Sequence, residues 1–292
     1  MTRMLDAGTL DRLTAEAGFG SWGALPYDPA DRVLPCKRAA LIPEGMRSLL
    51  VLTLPYLAGR TPGSISKYAR GADYHRVAAA RLDLLAAKLA AWAGGGRFIG
   101  FCDSSPFDET ALALRAGLGC RGENHRLITP RYGSYVFLAT LLCDLPLLST
   151  AVETIPACLG CGRCVAHCPG GALREKDGFC LDLCLSERTQ RKGELPDWVM
   201  DAMRKVGTGW GCDVCQDVCP MNAHAAQTTL PEFLEQLTPD LTEPVIAASQ
   251  SRAYGWRGKS ILRRNLEILR GAPAGDCAAR ATNVGERGRK VR

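Results

Sequence analysis

Seven of the fourteen cysteines lie in two short runs whose spacing suits metal chemistry. The first run has the form Cys-x2-Cys-x2-Cys-x3-Cys-Pro and consists of Cys158, Cys161, Cys164 and Cys168. The second has the form Cys-x2-Cys-x3-Cys-Pro and consists of Cys212, Cys215 and Cys219. The first pattern holds a [4Fe–4S] cluster, and its fourth cysteine binds the other cluster in two-cluster ferredoxins. Zinc ribbons instead use two separated Cys-x2-Cys pairs around one ion, which these runs fit poorly. The spacing therefore predicts two [4Fe–4S] clusters.

Two such clusters need eight thiolates, one more than the two runs supply. Cys180 and Cys184 both lie between the runs, and spacing alone does not choose between them. The remaining cysteines are scattered, and we expect them to be buried small apolar residues; they are Cys36, Cys102, Cys120, Cys143 and Cys277. Many free thiols beside cluster motifs indicate a reducing compartment, and no signal peptide is recognised at the start of the chain. We therefore expect a cytoplasmic protein.

A carboxylate lies where a predicted strand gives way to a predicted helix. Residues 100–106 read Gly-Phe-Cys-Asp-Ser-Ser-Pro, with Asp103 at the end of the strand. Carboxylates at strand ends in α/β folds often face a ligand crevice, whereas an Asx-turn or a helix cap is the alternative role. A second polar stretch leads into a helix, where we expect Asp73 to be the cap and His75 to be solvated.

The first half of the chain predicts a layered α/β arrangement that would position these residues. Strand-like apolar runs occur at 48–55, 97–102 and 135–142. Helical patterns occur at 74–92 and 106–116, between the runs. Alternation of strands and helices is typical of layered α/β domains.

The composition changes after residue 157, where Cys, Gly and Pro dominate and helical stretches are short. Such a segment buries little apolar surface, so the clusters would serve as its core. Helical patterns return at 230–237 and 262–270. We therefore predict three regions, which are an α/β domain over 1–150, a two-cluster ferredoxin-like domain over 151–228 and a short helical C-terminal extension over 229–292.

Composition narrows the class of protein further. The 292 residues are 47% hydrophobic, but the longest apolar stretches, such as 49–54, have strand length, so no membrane span is predicted. The net charge of +6 permits a polyanionic partner without requiring one. The basic stretch 287–292 predicts a frayed terminus, with weak phosphate contact as the alternative.

Several stretches, in order around the cysteine runs, resemble one family, the epoxyqueuosine reductases. These are cobalamin-dependent, two-cluster enzymes of tRNA modification. The resemblance extends from about residue 32 to residue 270 and is carried by 41–43, 70–75, 103–106, 115–119, 132–135, 184–189, 211–216, 256–259 and 264–265. It implies that Cys184 is the eighth ligand and that Cys180 is not. The crossed ligand sets would be Cys158, Cys161, Cys164 and Cys219 for cluster one, and Cys168, Cys184, Cys212 and Cys215 for cluster two.

The resemblance also implies a corrinoid between the α/β domain and the cluster domain, so that 1–150 would be a corrinoid-binding and catalytic domain. The residues implied to line the corrinoid are Arg32, Asp103, Leu127, Thr129 and Leu138. Asp103 would be the proton-donating acid, and electrons would come from an external donor such as a ferredoxin or flavodoxin. A general acid needs a raised pKa, and we expect burial beside the corrin face to raise the pKa of Asp103.

Some features depart from the family pattern. Glu123 stands where Lys is common, and Met221 stands where many members have Trp. Many members also carry a long C-terminal helical-repeat domain, so we expect a smaller footprint here on the implied partner, a tRNA with a queuosine-type anticodon. Two other hypotheses remain. One is a reductase with the same cofactors and a small substrate, as in reductive dehalogenases. The other is a non-catalytic electron-transfer ferredoxin without a corrinoid.

Overall fold

A computed structural model describes residues 5–147, 155–174 and 178–271. Cys277 and the basic stretch 287–292 lie outside the described residues. The strands are β1 (Ser21–Pro26), β2 (Ser48–Pro55), β3 (Phe98–Phe101), β4 (Cys120–Arg121), β5 (Leu127–Ile128), β6 (Val136–Cys143), β7 (Leu173–Arg174) and β8 (Gly178–Phe179). The α-helices are α1 (Ala7–Glu16), α2 (Tyr74–Ala93), α3 (Glu109–Arg115), α4 (Arg163–Ala166), α5 (Leu185–Arg188), α6 (Asp197–Val206), α7 (Val214–Asp217), α8 (Pro231–Leu234), α9 (Glu243–Ala247) and α10 (Lys259–Arg270).

A four-stranded sheet in the order β1-β2-β6-β3 forms the centre of the first half, and every neighbouring pair is antiparallel. Strand β2 is buried along its whole length because it has a core on both faces. Leu50, Leu52 and Leu54 pack in the core that contains α1 and α2. Leu49 and Val51 pack in the core that contains α3. Alternate side chains of a strand point to opposite faces, which explains why β2 is a continuous apolar run rather than an alternating one.

The predicted strands and helices of the first half are confirmed, with shifted ends. Helix α2 begins after Asp73, whose carboxylate accepts a hydrogen bond from the His75 N–H at 3.1 Å, so the expected cap is confirmed. It ends at Gly94, which adopts the left-handed conformation common just after helices. Helix α3 begins later than predicted because Asp108 is its cap and accepts from the Ala111 N–H.

Most elements of the second half are short, as its composition predicts, but α6 has ten residues. It packs in an apolar cluster with Leu185 and Leu195, so the expectation that the clusters alone serve as the core of this region is wrong. Helices α4 and α7, which overlap the two cysteine runs, contact each other, and β7 pairs with β8 in a small hairpin. The last helix, α10, packs against α6 and α9. Among the described residues, no helix is both long enough and apolar enough to cross a membrane.

A buried ion pair connects the second cysteine run to the loop that follows β2. The Lys67 ammonium lies 2.7 Å from the Asp217 carboxylate and 3.4 Å from that of Asp213. The Lys67 N–H and the Ser66 hydroxyl also donate to Asp213, at 2.8 and 2.5 Å. The Tyr135 hydroxyl donates to Asp217 at 2.7 Å. These contacts hold the two halves in one arrangement.

We expect Lys67→Met to destabilise the protein, because it leaves the buried Asp213 without its cation. Removing one partner of a buried pair costs about 3 kcal/mol or more, which corresponds to a fall in melting temperature of about 6 to 12 °C. Thermal unfolding measures this effect. The control is Lys88→Met, which removes a more exposed pair with Glu16 and should cost less than about 1 kcal/mol. Equal shifts in the two variants would contradict the structural role given to Lys67.

Candidate functional site

A cavity of about 490 Å³ lies between the sheet and the second cysteine run, and its volume is in the range of ligand and cofactor sites. Aromatic and aliphatic side chains form much of its wall, and they include Tyr56, Tyr68, Tyr74, Phe107, Leu127, Val136, Phe137 and Leu138. Polar groups at the wall include His75, Asp103, Glu109, Arg126 and Gln216. Cys212 of the second run also lines it, so the wall combines acid–base groups with a predicted cluster ligand.

Asp103 follows β3 and faces this cavity, with 60% of its side chain exposed. Its backbone has a φ of 63°, a left-handed conformation that is uncommon for residues other than glycine and that concentrates at functional sites. Its Oδ2 lies 3.1 Å from His75 Nε2, and His75 Nδ1 lies 2.7 Å from Asp73 Oδ1. His75 is therefore held between two carboxylates rather than solvated. The cap alternative for Asp103 is wrong, since Asp108 is the residue that caps α3.

The electrostatics of this pair differ from the sequence-based expectation. The pKa of Asp103 is lowered, chiefly because the carboxylate hydrogen-bonds to His75. The pKa of His75 is raised, chiefly by the same bond and then by Asp73, although burial opposes the rise. The expectation of a raised pKa for Asp103 is therefore wrong for this arrangement. In the pair, the proton is favoured on the imidazole, next to the Asp103 carboxylate.

Four of the predicted cluster cysteines surround a second, smaller cavity, and they are Cys158, Cys161, Cys164 and Cys219. This is the set that the resemblance implies for cluster one. Cys161 is exposed to solvent. The Glu123 carboxylate borders the same cavity and accepts a hydrogen bond from the Gly162 N–H at 3.1 Å.

Of the other four predicted cysteines, Cys212 and Cys215 are deeply placed in the protein. Burial is the main reason that the pKa of the Cys215 thiol is raised to about 12, and the nearby Cys184 and Cys168 contribute to the rise. Burial likewise raises the pKa of the Cys212 thiol, with additional contributions from Cys215 and Cys184. The structure thus brings together the set implied for cluster two. Since iron binds the thiolate, cluster assembly at these sulfurs would release protons.

The two cysteine sets fit a group larger than one ion. Within the described ranges, no group of three or more His, Cys, Asp or Glu residues is placed to hold a single metal ion. A zinc site needs four ligands close to one centre, with Zn–S distances of about 2.3 Å. Four thiols around a cavity are better matched to an iron–sulfur cluster.

The structure separates the residues predicted to line a corrinoid. Leu127 and Leu138 line the large cavity with Asp103, whereas Arg32 and Thr129 are not part of its wall. Arg32 forms an isolated backbone bridge with Phe107, which does line it. The Thr129 hydroxyl donates to the Gly133 carbonyl at 3.0 Å and so stabilises the turn before β6.

Among the cavity-wall residues that sequence reasoning missed are Glu109, Arg126 and Trp256. Glu109 lies within the helical pattern predicted at 106–116, where an acidic residue is ordinary. Arg126 adjoins the predicted Leu127, and its charge acts on Cys215. Trp256 is 65% exposed and lies under the Arg257 guanidinium, 3.9 Å from the ring centroid. An exposed tryptophan is a signal for binding that the sequence alone did not reveal.

Comparisons with known proteins agree with this architecture. Residues 157–222 match the family described as 4Fe-4S double cluster binding domain, and residues 37–104 match the family described as Epoxyqueuosine reductase QueG, DUF1730. An epoxyqueuosine reductase from Gloeobacter violaceus is 37% identical over 232 residues, which cover 75% of this chain and 70% of the relative. One from Lactococcus garvieae is 34% identical over 219 residues, which cover 70% of this chain and 60% of the relative.

A solved structure shares the fold of this chain. It is a crystal structure of epoxyqueuosine reductase with an epoxyqueuosine-modified tRNA-Tyr stem loop, and it superposes with a TM-score of 0.76 at 26% identity, covering 90% of this chain and 80% of that one. The fold and the site define a two-cluster iron–sulfur protein with an α/β domain, and the prediction of two [4Fe–4S] clusters is confirmed. The chain belongs to the epoxyqueuosine reductase family. It spans 60% of the length of the Lactococcus garvieae relative.

Proposed function

We propose that this protein is an oxidoreductase that reduces epoxyqueuosine to queuosine in tRNA, using cobalamin and two [4Fe–4S] clusters. One observation carries the proposal: Asp103, His75 and Cys212 all line one cavity. A proton-bearing pair and a ligand of an electron-carrying cluster thus border the same space. A reduction that consumes electrons and protons together needs this combination.

The proposed electron path runs from the surface towards the cavity. Cluster one would be bound beside the exposed Cys161, where an external donor such as a ferredoxin or flavodoxin would reach it. Cluster two would be bound deeper, with Cys212 between it and the cavity. In this proposal, 1–150 is the corrinoid-binding and catalytic domain, 151–228 carries the clusters and 229–292 is a helical extension.

The apolar and aromatic part of the cavity wall suits the face of a corrinoid. Leu127 and Leu138 offer an apolar surface, and the aromatic side chains Tyr74 and Phe137 stack with ring centroids 4.1 Å apart beside it. When bound, cobalamin supplies low-valent cobalt, a strong reductant for the epoxide. The chain itself would orient that group, exclude water and hold a proton at Asp103 and His75. Arg32 and Thr129 would act indirectly, through Phe107 and through the turn before β6.

Three observations support tRNA as the substrate. The net charge is +6, which is compatible with a polyanionic partner. Trp256 is exposed at the cavity and offers a stacking surface for a base turned out of its helix. A family member that shares the fold has been crystallised with an epoxyqueuosine-modified tRNA stem loop. A tRNA-modifying role with reduced thiols and iron–sulfur clusters also supports the proposed cytoplasmic location.

Anaerobic incubation with epoxyqueuosine-containing tRNA, cobalamin and a strong reductant tests the function, and queuosine should appear. Retention of the corrin absorption band after desalting separates this proposal from a simple electron-transfer ferredoxin, which would bind no corrinoid. Turnover of a small molecule without any tRNA binding would favour the alternative substrate class.

We expect Arg263→Glu to weaken tRNA binding and to reduce its dependence on salt. Arg263 is 56% exposed and lies 3.6 Å from Glu243, so its charge is available at the surface. Losing one phosphate contact should lower the slope of log K against log salt by about 0.9. Fluorescence anisotropy at several salt concentrations measures this slope. Arg12→Glu on α1, which removes an arginine with a similar exposed pairing, is the control and should leave the slope unchanged.

The neighbouring Arg264 is unsuited to that test. Its guanidinium donates to the main-chain carbonyl of Arg191 at 2.8 Å and to the side chain of Asn265 at 2.8 Å. Its side chain is half-buried, and burial lowers its pKa. Reversing its charge would disturb the packing of α10. A loss of tRNA binding in that variant could then result from misfolding instead of a lost phosphate contact. If Arg263→Glu binds tRNA with the wild-type slope, the phosphate contact lies elsewhere.

A further inference from the structure

The proposed reduction needs more protons than one carboxyl group carries. Converting an epoxide to an alkene breaks both C–O bonds of the ring, and the oxygen leaves as water. The balance is one epoxide, two electrons and two protons in, and one alkene and one water out. The electrons come from the external low-potential donor through the two clusters. The Asp103–His75 pair accounts for one proton, and the second is to be assigned to another group.

The cavity wall has two further carboxyl groups, Asp108 and Glu109. Asp108 caps α3, so Glu109 is the one left for such a role. It is the first residue of α3, six positions after Asp103, and it lines the same cavity. Its Oε1 is buried and has no hydrogen-bond partner among the described residues. A buried polar atom without a partner costs free energy, so its retention beside a cavity points to a ligand.

The surroundings of Glu109 favour the neutral acid. Burial, and then the negative charge of Asp103, raises the pKa of Glu109 to about 8, and Asp108 adds to the rise. Hydrogen bonds from the Asp103 backbone N–H and from Ser105 act in the opposite direction and only partly offset it. The Cys102 thiol is also close, and burial raises its pKa so that it stays uncharged. His75, which also lines the cavity, is hydrogen-bonded to Asp103 and to Asp73.

We propose that Glu109 is a second catalytic acid, which donates the second proton to the departing oxygen. This role rests on the proposed function. Asp103 and its partner His75 then deliver one proton, and Glu109 delivers the other. The O–H bond of Glu109 breaks as an O–H bond of the product water forms, and the carboxylate left behind takes up a proton from solvent before the next turnover.

The sign of the pH dependence follows from the acid role. Glu109 must be protonated to act, so turnover should persist at neutral pH and fall as the pH rises through about 8. Glu109→Gln retains the shape of the side chain and an oxygen that accepts from the Asp103 N–H, but it has no acidic proton. It should lower kcat by about 100-fold or more while retaining iron content, corrinoid binding and the Kd for tRNA.

Infrared spectroscopy gives a readout that is independent of turnover. The wild-type protein should show a protonated-carboxyl band at neutral pH that disappears as the pH rises through about 8. Glu109→Gln should lack this band. The matched control is Glu232→Gln, which removes a glutamate that pairs with Arg81 at 2.6 Å and lies outside the cavity wall, so the band should remain.

Three outcomes would overturn the role of Glu109. One is wild-type kcat in Glu109→Gln, which would show that the Asp103–His75 pair supplies both protons. Another is a normal Glu109→Gln together with an inactive Glu109→Ala, which would make Glu109 a positioning residue for the Asp103 loop. The third is the absence of a titrating carboxyl band. Failure of the wild-type protein to turn over modified tRNA would instead overturn the proposed function itself.

Discussion

Asp103→Asn should lower the turnover of epoxyqueuosine-containing tRNA by about 100-fold or more, which is the usual contribution of a positioned acid. The amide still hydrogen-bonds to His75, 3.1 Å away in the wild type, but it cannot take up the proton held on the imidazole and pass it to the substrate. Because Asp103 is neither a helix cap nor part of the core, both clusters and corrinoid binding should be unaffected. Single-turnover kinetics under anaerobic conditions measure the loss.

The control for this variant is Asp83→Asn, on the exposed side of α2, which should turn over at the wild-type rate. Iron content and the corrin spectrum must be recorded for both variants, so that a loss of cofactor is not mistaken for a loss of proton transfer. Near wild-type activity in Asp103→Asn would show that the acid of the reaction is another residue of the cavity.

Cys184→Ala should lose one cluster, which lowers iron and sulfide from about eight to about four of each per chain. The reason is that Cys184 lies beside the buried Cys212 and Cys215 and contributes to the raised pKa of both thiols. Anaerobic reconstitution followed by iron and acid-labile sulfide analysis measures the loss. The matched control is Cys180→Ala, four residues earlier in the chain, which should retain both clusters. Full iron content in Cys184→Ala, or loss in Cys180→Ala, would contradict the proposed ligand set.

Elements with a strong local pattern were predictable from sequence. Strand β2 was found because burial on both faces makes it a continuous apolar run. Helix α2 was found because Asp73 begins it and glycines follow it. Strand β1 was missed because Gly23 and Pro26 lower its strand propensity, and its pairing with β2 supplies what the local sequence does not.

The candidate site was predictable only in part. Position at a strand end identified Asp103, and its catalytic role is still a prediction. Its contact with His75 was missed because the two residues are 28 positions apart and meet only when β3 and α2 pack together. That contact is also why the direction of the pKa shift of Asp103 was wrong. Burial was anticipated from the sequence, whereas a cationic partner supplied by another element was not.

The most direct test of the proposed function is the fate of the modified base in tRNA. The reconstituted protein is incubated anaerobically with epoxyqueuosine-containing tRNA, cobalamin and a strong reductant, and the nucleosides are then digested and identified by mass spectrometry. Parallel reactions omit cobalamin or replace the protein with Asp103→Asn. We predict queuosine in the complete reaction and little or none in the other two. Unchanged epoxyqueuosine in the complete reaction, with both clusters and cobalamin bound, would contradict the proposed function.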